Sequence, residues 1–372
     1  MKFLLVGSFA ESLLNFRGAL ISALQQRGLE VHVAAPELPP GNPYRLQLEA
    51  RGIVVHSIYM RRTGTNPVAD LRTLFSIWGL MRRVRPRFVM TYTVKPTIYG
   101  GLAARFARVP HRFALITGLG YAFQEGKGRG WLRAIVQRLY AISLEGAQKV
   151  FFQNSDDEAL FRRRGLLGPA KASCVVRGSG VDLEKFSASK ISAKSLSFLL
   201  IARLLGDKGI REYVQAARKV RALYPEVRCM LAGWIDTGPD AIAQDELDAW
   251  CSDGSIEFLG RLSDVRPAIA SCSVYVLPSY REGTPRTVLE AMAMGRAVIT
   301  TDAPGCRDTV IEEFNGFLVP VKSVDSLVNA MLKFVADPSI SRIMGEKSRN
   351  VAEEKYDVHK VNAIMLFEMG IQ

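Results

Sequence analysis

The feature that most constrains the fold of this chain is a regular alternation of short apolar runs with longer amphipathic stretches. Runs typical of buried strands, such as "KFLLVGSF" and "EVHVAAP", are separated by segments with helical periodicity, such as "LLNFRGALISALQQRG". The series restarts with "FLLIARL" after the polar stretch "SASKISAKSLS" (187–197). Strands that alternate with helices predict a parallel α/β sheet covered by helices. Two series predict two Rossmann-like domains facing each other across a cleft, with ligands at the carboxyl ends of the strands.

The length of the chain agrees with two domains, since 372 residues exceed what one core normally accommodates. We expect a first domain over 1–186, a second over 187–354 that begins in the polar linker 187–197, and a helical segment 355–372 that can cross back to the first domain. The start, "MKFLLVGSFAES", has the layout of a short signal peptide. Because "EVHVAAP" follows at the spacing of a strand–helix–strand unit, a first buried strand is favoured.

Cysteine usage and short motifs give no sign of a metal or a cofactor. The five cysteines are odd in number and show no CxxC spacing, which suits a reducing compartment and argues against a zinc knuckle. "GLGYAF" (118–123) lacks the third glycine of a dinucleotide fingerprint, and "GYAFQEGK" (120–127) departs from P-loop spacing. There is no clustered Asp-x-Asp, so neither a metal site nor a cofactor is expected.

Charge is distributed unevenly along the chain. Residues 1–180 contain 26 Lys and Arg against 10 Asp and Glu, a net charge of +16, whereas residues 181–372 contain 23 against 26, a net charge of −3. A basic half attracts anionic lipid, a phosphorylated substrate or nucleic acid, and its simplest alternative is a solvated surface. No RNA- or DNA-binding motif accompanies the charge, so nucleic acid is not the expected partner.

One helix of the basic half has the pattern of a membrane-docking segment. In "WLRAIVQRLYAISL" (131–144), one face carries Trp131, Ile135, Leu139 and Ile142, and Arg133 and Arg138 lie off that face. Packing of this face into the domain core is an equally open interpretation. No uninterrupted apolar run approaches about eighteen residues, so no membrane-spanning helix is predicted.

The stretch "REGTPRTVLEAMAMG" (281–295) places glutamates on both sides of a predicted helix start, at Glu282 and Glu290. Thr284 fits the N-cap and Pro285 the first helical position. Helix N-termini bind phosphate through their free backbone amides, which here would belong to Arg286, Thr287 and Val288. Carboxylates accept hydrogen bonds from hydroxyl groups. The arrangement therefore predicts a sugar nucleotide, with ribose at one glutamate, diphosphate at the amides and the donor sugar at the other glutamate.

Other predicted strand ends of the second half carry polar or small residues. Arg203 follows one strand and Lys208 begins the next helix, so both can neutralise a diphosphate, although a solvated turn is the simpler interpretation of these two residues alone. Gly233 stands where a backbone can approach a ligand closely. Gly260 and Arg261 follow another strand.

The pattern "VYVLPSYREGTPRTVLEAMAMGRAVITTDAPGCRDTVIEEFNGFLVP" (274–320) resembles the donor-binding signature of retaining family-4 glycosyltransferases of the GT-B fold, including their glutamate-x7-glutamate motif. "IARLLGDKG" and "FLGRLSD" match that signature in order and spacing. "TVKPTIYGGLAARFARVPHRFALITGLGYAF" (93–123) resembles a branch that builds capsule, O-antigen and N-glycan precursors on undecaprenyl diphosphate. The resemblance covers nearly the whole chain.

The resemblance implies a retaining, metal-independent transferase that moves a sugar, expected to be an N-acetylhexosamine, from a UDP-sugar to an undecaprenyl-diphosphate-linked saccharide. The first domain would bind the acceptor and face an anionic membrane, and the second would bind the donor. The enzyme would be cytoplasmic and peripheral on the inner face of the cell membrane. A UDP-sugar epimerase or hydrolase of similar architecture is the alternative, but no acid/base constellation near the sugar supports it.

By motif position, the resemblance assigns the donor diphosphate to Arg203 and Lys208, the ribose to Glu290, and the donor sugar to Glu282 with Gly283 and Thr284 around it. Glu282, Arg203, Lys208 and Thr117 form the expected catalytic set. Thr117 stands where many family members have a histidine, a departure that removes an obvious group for orienting the donor sugar. The N-terminal glycine-rich loop keeps only Gly7 and Gly18. Gly18 and Lys95 are the expected acceptor contacts, and an exposed lysine is the alternative for Lys95.

Overall fold

The structure, a computed structural model, describes residues 1–61, 64, 66–119, 130–191, 195–236, 238 and 240–372, and for residues 131–133 it describes the backbone alone. Two compact units are present: Met1–Ser179 together with Val361–Gln372, and Gly180–Lys360. The predicted boundary at 186/187 is therefore too late. Val181 exchanges backbone hydrogen bonds with Tyr356 and Val358, which holds residues 180–186 in the second unit.

The first unit is built on a parallel sheet. Its strands are β1 Lys2–Val6, β2 Glu30–Ala35, β3 Val54–Ser57, β4 Phe88–Tyr92, β5 His111–Ile116, β6 Lys149–Phe152 and β7 Ser173–Val175. They pair in the order β3-β2-β1-β4-β5-β6-β7. Successive residues of β1 enter different apolar clusters, Phe3 and Leu5 on one face and Leu4 and Val6 on the other. Both faces are covered, as a parallel sheet requires.

The helices of the first unit are α1 Ala10–Asn15, α2 Gly18–Gln26, α3 Pro43–Glu49, α4 Pro67–Val84, α5 Gly101–Phe106, α6 Gly130–Glu145 and α7 Ser155–Arg163. A π-helical turn, Pro96–Gly100, precedes α5. The prediction of a single helix for "LLNFRGALISALQQRG" is wrong, because the helix is interrupted between α1 and α2. At the break Arg17 has a non-helical backbone and is buried, with its guanidinium over the ring of Tyr92.

Helix α4 shows why these segments become helical. The Asn66 side chain accepts hydrogen bonds from the amides of Val68 (3.0 Å) and Ala69 (3.1 Å), and Pro67 occupies the first turn. The helix ends at Arg85, whose φ of 51° is left-handed. Between these ends, its buried residues join the apolar cluster that covers one face of the sheet.

The second unit repeats the architecture. Its strands are β8 Ser197–Ile201, β9 Arg228–Ala232, β10 Glu257–Phe258, β11 Val274–Leu277, β12 Ala297–Thr301 and β13 Gly316–Val319, in the parallel order β10-β9-β8-β11-β12-β13. Its helices are α8 Ile210–Leu223, α9 Gln244–Ser252, α10 Arg266–Ser271, α11 Arg286–Ala293, α12 Val324–Ala336 and α13 Ser339–Val351. Helix α14 Val358–Glu368 begins in the second unit and belongs to the first unit from Val361 onward, as expected for a C-terminal segment that crosses back. The strand order changes direction between β8 and β11, which is where open α/β sheets bind ligands.

The predicted linker is packed rather than free over its first part. Arg296 is fully buried, and its guanidinium donates to the carbonyl oxygens of Ser189 (2.8 Å), Ile269 (2.9 Å) and Met294 (2.8 Å). The Ser189 amide also donates to the Met294 carbonyl at 3.2 Å. These bonds attach the segment before β8 to the body of the second unit. Residues 192–194 of the linker lie outside the described residues.

Among the helices in the described part of the chain, none combines the length and the apolar character needed to cross a bilayer.

Candidate active site

Two of the predicted site residues of the second unit, Lys208 and Glu282, meet at the carboxyl ends of β8 and β11, where the strand order changes direction. Lys208 follows β8 and Glu282 follows β11, and Lys208 Nζ lies 2.6 Å from Glu282 Oε1. The Ser279 hydroxyl donates to the same carboxylate oxygen at 2.9 Å. Ser279 is a residue that sequence reasoning missed, although it lies three positions before Glu282 inside the recognised pattern.

The electrostatics of this pair favour a permanent positive charge on Lys208. Burial works against the ammonium form, but Glu282 and the neighbouring Asp207 outweigh that penalty, so the pKa of Lys208 is raised above its usual value. Asp207 is affected in the other direction. Burial disfavours its ionised form and raises the pKa of its carboxyl group, although Lys208 opposes the change. Lys208 is therefore a mostly buried, positively charged side chain at the strand ends.

Arg203 also follows β8, and it too is paired. Its Nη1 donates to Asp236 Oδ2 at 2.7 Å, and 42% of the arginine side chain is exposed. Asp236, beyond the end of β9, is a second residue that was not anticipated. The only signal in the sequence was an acidic residue soon after the strand end "LAGW".

The loops after β9 and β10 are joined to each other. Gly233 donates its amide proton to the Gly260 carbonyl at 2.9 Å, and the guanidinium of Arg261 lies 4.7 Å from the ring centre of Trp234. Gly233 does provide a close backbone approach, but to the protein itself, because a Cβ there would lie 1.9 Å from the Ala202 carbonyl oxygen. Its small size serves the packing of the strand ends.

The start of α11 differs from the prediction at its cap. Thr284 is not the N-cap, since α11 begins at Arg286 and Pro285 occupies the cap position with an extended backbone and no side-chain cap bond. The Val288 amide donates to the Pro285 carbonyl at 3.1 Å, so it is not available to a phosphate. The anion-binding positions are thereby reduced to the first two of the three predicted residues. The Thr287 hydroxyl donates to the Ile201 carbonyl at 3.3 Å and ties α11 to β8.

Glu290 lies one turn along α11, on the face that carries Arg286, as predicted. Arg286 Nε donates to Glu290 Oε1 at 2.8 Å, and the glutamate is buried. Burial raises the pKa of the Glu290 carboxyl group, and Arg286 counteracts that effect. The arrangement fixes a carboxylate that can accept hydrogen bonds from ligand hydroxyls.

The loop after β12 holds the backbone of Glu282 and Gly283 in place. The Glu282 amide donates to the Pro304 carbonyl at 3.0 Å. Gly305 has a φ of +77°, and a Cβ there would lie 2.3 Å from the carbonyl oxygen of Glu282 and 2.5 Å from that of Gly283. Only glycine permits this approach. Pro304 and Gly305 lie within the recognised pattern 274–320, but the sequence alone does not indicate their supporting role.

The predicted residues of the first unit lie at its own strand and helix ends. Thr117 directly follows β5, and Gly18 is the first residue of α2. Lys95 precedes the π-helical turn, and its Nζ lies 2.8 Å from Asp70 Oδ1, with both side chains mostly buried. The alternative of an exposed lysine is therefore wrong. Tyr99 hydrogen-bonds the same aspartate, and burial, reinforced by Asp70, raises the pKa of the Tyr99 phenol.

Two family models match the chain in succession. Residues 16–177 match "Glycosyl transferase 4-like domain", and residues 182–351 match "Glycosyl transferases group 1". The junction between the two matches agrees with the division of the structure at Ser179/Gly180. The recognised donor-binding pattern, 274–320, lies within the second match.

Named relatives and a solved structure agree with these models. The chain is 28% identical to N,N'-diacetylbacillosaminyl-diphospho-undecaprenol alpha-1,3-N-acetylgalactosaminyltransferase of Campylobacter jejuni, over 88% of each chain. It is 25% identical to UDP-Gal:alpha-D-GlcNAc-diphosphoundecaprenol alpha-1,3-galactosyltransferase of Escherichia coli, over 79% of this chain and 77% of that one. Sucrose-phosphate synthase from Thermosynechococcus elongatus superposes with a TM-score of 0.80 at 19% identity, covering 98% of this chain and 97% of that one.

The predicted fold and the predicted enzyme class are thus confirmed. The two parallel-sheet α/β units have the fold of GT-B glycosyltransferases. With both models matched in tandem, the chain belongs to the glycosyltransferases that combine a glycosyl transferase 4-like domain with a group 1 domain.

Proposed function

We propose that this glycosyltransferase moves an N-acetylhexosamine from a UDP-sugar to an undecaprenyl-diphosphate-linked saccharide, with retention of configuration at the transferred sugar. The observation that carries the proposal is the Lys208–Glu282 pair at the point where the strand order of the second unit changes direction. An ionised lysine beside a carboxylate suits a ligand that brings both phosphates and sugar hydroxyls. The names of the two relatives indicate the acceptor class, and the name of the Escherichia coli relative indicates a UDP-sugar donor.

The diphosphate is bound, on this proposal, by Lys208 and Arg203. An ammonium group has three hydrogens, of which Glu282 takes one, so Lys208 can donate to a phosphate oxygen while it stays in place. Arg203 is more exposed, and its guanidinium can turn from Asp236 to the phosphate. The first turn of α11 adds a partial positive charge from its backbone dipoles. These groups neutralise the diphosphate without a metal ion.

The two glutamates bind the remaining parts of the donor, the ribose and the sugar. Glu290, held by Arg286, accepts hydrogen bonds from the ribose hydroxyls. Glu282 contacts the donor sugar, with Gly283 and Thr284 beside it. Its position is secured at the side chain by Lys208 and Ser279, and at the backbone by Pro304 and the close approach of Gly305.

Catalysis then rests mainly on stabilising the leaving UDP. As the bond between the sugar and the diphosphate breaks, negative charge grows on the phosphate oxygens, next to Lys208 and Arg203. Groups already oriented towards that charge lower the barrier without further reorganisation. The acceptor hydroxyl attacks on the face that UDP leaves, and its proton passes to a phosphate oxygen of the donor. Such a same-face attack gives retention.

The acceptor is bound, on this proposal, by the first unit, at the inner face of the cell membrane. Lys95, positioned by Asp70, contacts the acceptor diphosphate, and Gly18 lets the acceptor approach the start of α2. Thr117, after β5, stands in for the histidine of other family members and orients the sugar or the acceptor. Nucleic acid has no part in the reaction.

The test is a panel of UDP-sugars incubated with undecaprenyl-diphosphate-linked saccharides. Mass spectrometry identifies the added sugar, and NMR reports the anomeric configuration. We expect one N-acetylhexosamine to be added with the configuration of the donor. Release of free sugar in the absence of acceptor, at the rate seen in its presence, would instead identify a hydrolase. Inversion at the anomeric carbon would refute the same-face mechanism.

A further inference from the structure

Helix α4 of the first unit is apolar on two opposite faces. Its inward face is buried against the sheet and consists of Ala69, Thr73, Ile77, Leu80, Met81 and Val84. Its outward face exposes four large apolar side chains: Val68 (78% exposed), Leu71 (53%), Phe75 (58%) and Trp78 (38%). A soluble protein normally places polar residues on the outward face of such a helix, so this second stripe requires a partner.

The four exposed residues form one continuous stripe. They follow one another at intervals of three, four and three positions, which places them on the same side of a helix with 3.6 residues per turn. The rings of Phe75 and Trp78 touch edge to face, with centroids 6.4 Å apart and an interplanar angle of 80°. We name Val68, Leu71, Phe75 and Trp78 the outer stripe of α4.

Positive charge surrounds the outer stripe. Arg72, Arg82 and Arg83 are exposed, and within the part of the chain that the structure describes they form no ion pair. Arg72 extends its guanidinium over the ring of Tyr59, 4.2 Å from its centre. The only carboxylate of the helix, Asp70, is turned away from the stripe and paired with Lys95. The outward side of α4 is thus apolar and cationic, with no negative charge of its own.

We propose that the outer stripe of α4 docks the protein on an anionic lipid surface, with the helix lying in the plane of the membrane interface. An apolar stripe with an aromatic pair enters the boundary between headgroups and acyl chains, and flanking arginines bind the anionic headgroups. Tryptophan favours this boundary because its ring is apolar and its N–H is polar. The proposal rests on the proposed function, which places the first unit at the membrane, and deepens it by naming the surface that contacts the lipid.

Helix α6, the docking segment predicted from the sequence, fits this task less well. It exposes Ile135 and Ile142, whereas Leu139 is partly buried against the core formed with Tyr140 and Leu144. The side chains of Trp131 and Arg133 lie outside the described residues. Two separate isoleucines offer less apolar area than the outer stripe, and they lack its aromatic pair. Helix α6 therefore supplies a matched control on the same unit.

A second copy of the chain is a less suitable occupant of the outer stripe. Two such faces placed together would bring Arg72, Arg82 and Arg83 of both copies close to each other, with no carboxylate on either face to separate them. Juxtaposed like charges are costly at an interface. An anionic lipid surface supplies the missing negative charge.

The experiment measures binding of the full chain to vesicles by flotation, with phosphatidylglycerol mixed into phosphatidylcholine or phosphatidylcholine alone. The wild type should bind the anionic vesicles, and binding should weaken at high salt. Leu71→Ser/Phe75→Ser/Trp78→Ser should lower the vesicle partition coefficient by about tenfold or more, because the interfacial anchor is lost. The control Ile135→Ser/Ile142→Ser should keep it within about threefold. Brominated lipid should quench the fluorescence of the wild type more than that of Trp78→Phe.

Unchanged vesicle binding of the triple variant would overturn the proposal, and so would loss of binding in the α6 variant alone. If light scattering without vesicles shows a dimer for the wild type and a monomer for the triple variant, the stripe would instead be an interface with a second copy. UDP affinity and the far-UV spectrum should match the wild type, which shows that the triple variant is folded. Failure of the proposed function leaves these readouts unaffected, since it would appear as absent transfer to a short-chain, water-soluble acceptor.

Discussion

The basic residues of the two units are used in different ways. At the strand ends of the second unit, Arg203, Lys208 and Arg286 each face a carboxylate at hydrogen-bonding distance. Along α4 of the first unit, Arg72, Arg82 and Arg83 face solvent beside an apolar stripe. Paired, half-buried cations suit a small anion that enters a defined site, whereas a row of exposed cations suits an extended anionic surface.

Pairing has a physical consequence for the site. A buried cation without a partner is costly, so Glu282 keeps Lys208 charged, and Asp236 holds the guanidinium of Arg203 by a hydrogen bond. Under the proposed function, the phosphate oxygens of the donor then take over or share these hydrogen bonds. The arginines of α4 need no such partner, because their side chains are exposed to solvent. The contrast therefore predicts large, localised effects in the second unit and distributed, salt-sensitive effects in the first.

The largest expected effect is loss of donor binding in Arg203→Ala/Lys208→Ala. Charge-assisted hydrogen bonds contribute about 1.5–3 kcal/mol each, so the dissociation constant for UDP should rise by at least about a hundredfold. Isothermal titration calorimetry measures it. The control is Lys219→Ala, which removes an exposed lysine paired with Asp325 in the same unit and should leave UDP affinity unchanged. Near-normal affinity in the double variant would refute the diphosphate assignment.

The next effect separates the two glutamates. Glu290→Gln should raise the donor KM by about tenfold with a smaller change in kcat, because the lost contact is with the ribose. Glu282→Gln should mainly lower kcat, by about tenfold or more, because its contact is with the reacting sugar. Steady-state kinetics at saturating acceptor measures both. The opposite pattern would mean that the two roles are exchanged.

The parts of this site that could be read from the sequence are those marked by residue type and spacing. The order of strands and helices followed from periodicity, and the Arg286–Glu290 contact followed from helical geometry. The partners Asp236 and Ser279 could not be predicted, because they meet their cations through tertiary contacts between loops that follow different strands. The cap of α11 was misplaced by one residue, since a threonine before a proline satisfies the usual N-cap pattern whether or not its side chain bonds.

The outer stripe of α4 was missed for a related reason. "VADLRTLFSIWGLMRRV" is apolar on both sides, and a periodic pattern alone does not tell which side meets the sheet. Only the packing of Ile77, Leu80 and Met81 against β1 and β4 leaves Phe75 and Trp78 outside. In helix α6 the sequence places the apolar residues on one face and the arginines off it, which is why its pattern predicts a docking segment.

A smaller effect is expected at Lys95, a cation of the first unit that is paired and mostly buried like Lys208 of the second. It is mostly buried and paired with Asp70, unlike the arginines of α4. Lys95→Ala should raise the KM for the lipid diphosphate acceptor by about tenfold, the loss of one charge-assisted bond, and leave the donor KM unchanged. Arg163→Ala is the control, since it removes an exposed cation from the same unit without touching this pair or the outer stripe of α4. A change confined to the donor KM would assign Lys95 to the other substrate.

The smallest effect concerns His56, whose pKa is lowered in part by positive charges of the first unit. Its Nε2 lies 2.9 Å from Nδ1 of His32, so one ring carries the proton between them. Burial lowers the pKa of His56 from 6.5 to about 4, and His32, Arg83, Arg45 and Lys2 add to the effect. Between pH 6.5 and 4 the unfolded chain therefore binds more protons at this site than the folded one. Stability is complete above pH 6.5 and decreases as the pH falls towards 4.

His56→Gln should flatten this acid dependence. For a half-buried ring the contribution is about 1 kcal/mol, once the shift is discounted for solvent screening. Urea unfolding at pH 7.5 and pH 5 measures it, and the difference in unfolding free energy between the two pH values should shrink by about that amount in the variant. The exposed His359, changed to glutamine, is the control and should leave the difference unaltered.

Added salt should also reduce the difference in unfolding free energy in the wild type, because it screens the arginine and lysine charges. If the difference in unfolding free energy does not depend on salt, the lowered pKa of His56 results from burial and the His32 contact alone. His56 would then not report the positive charge of the first unit.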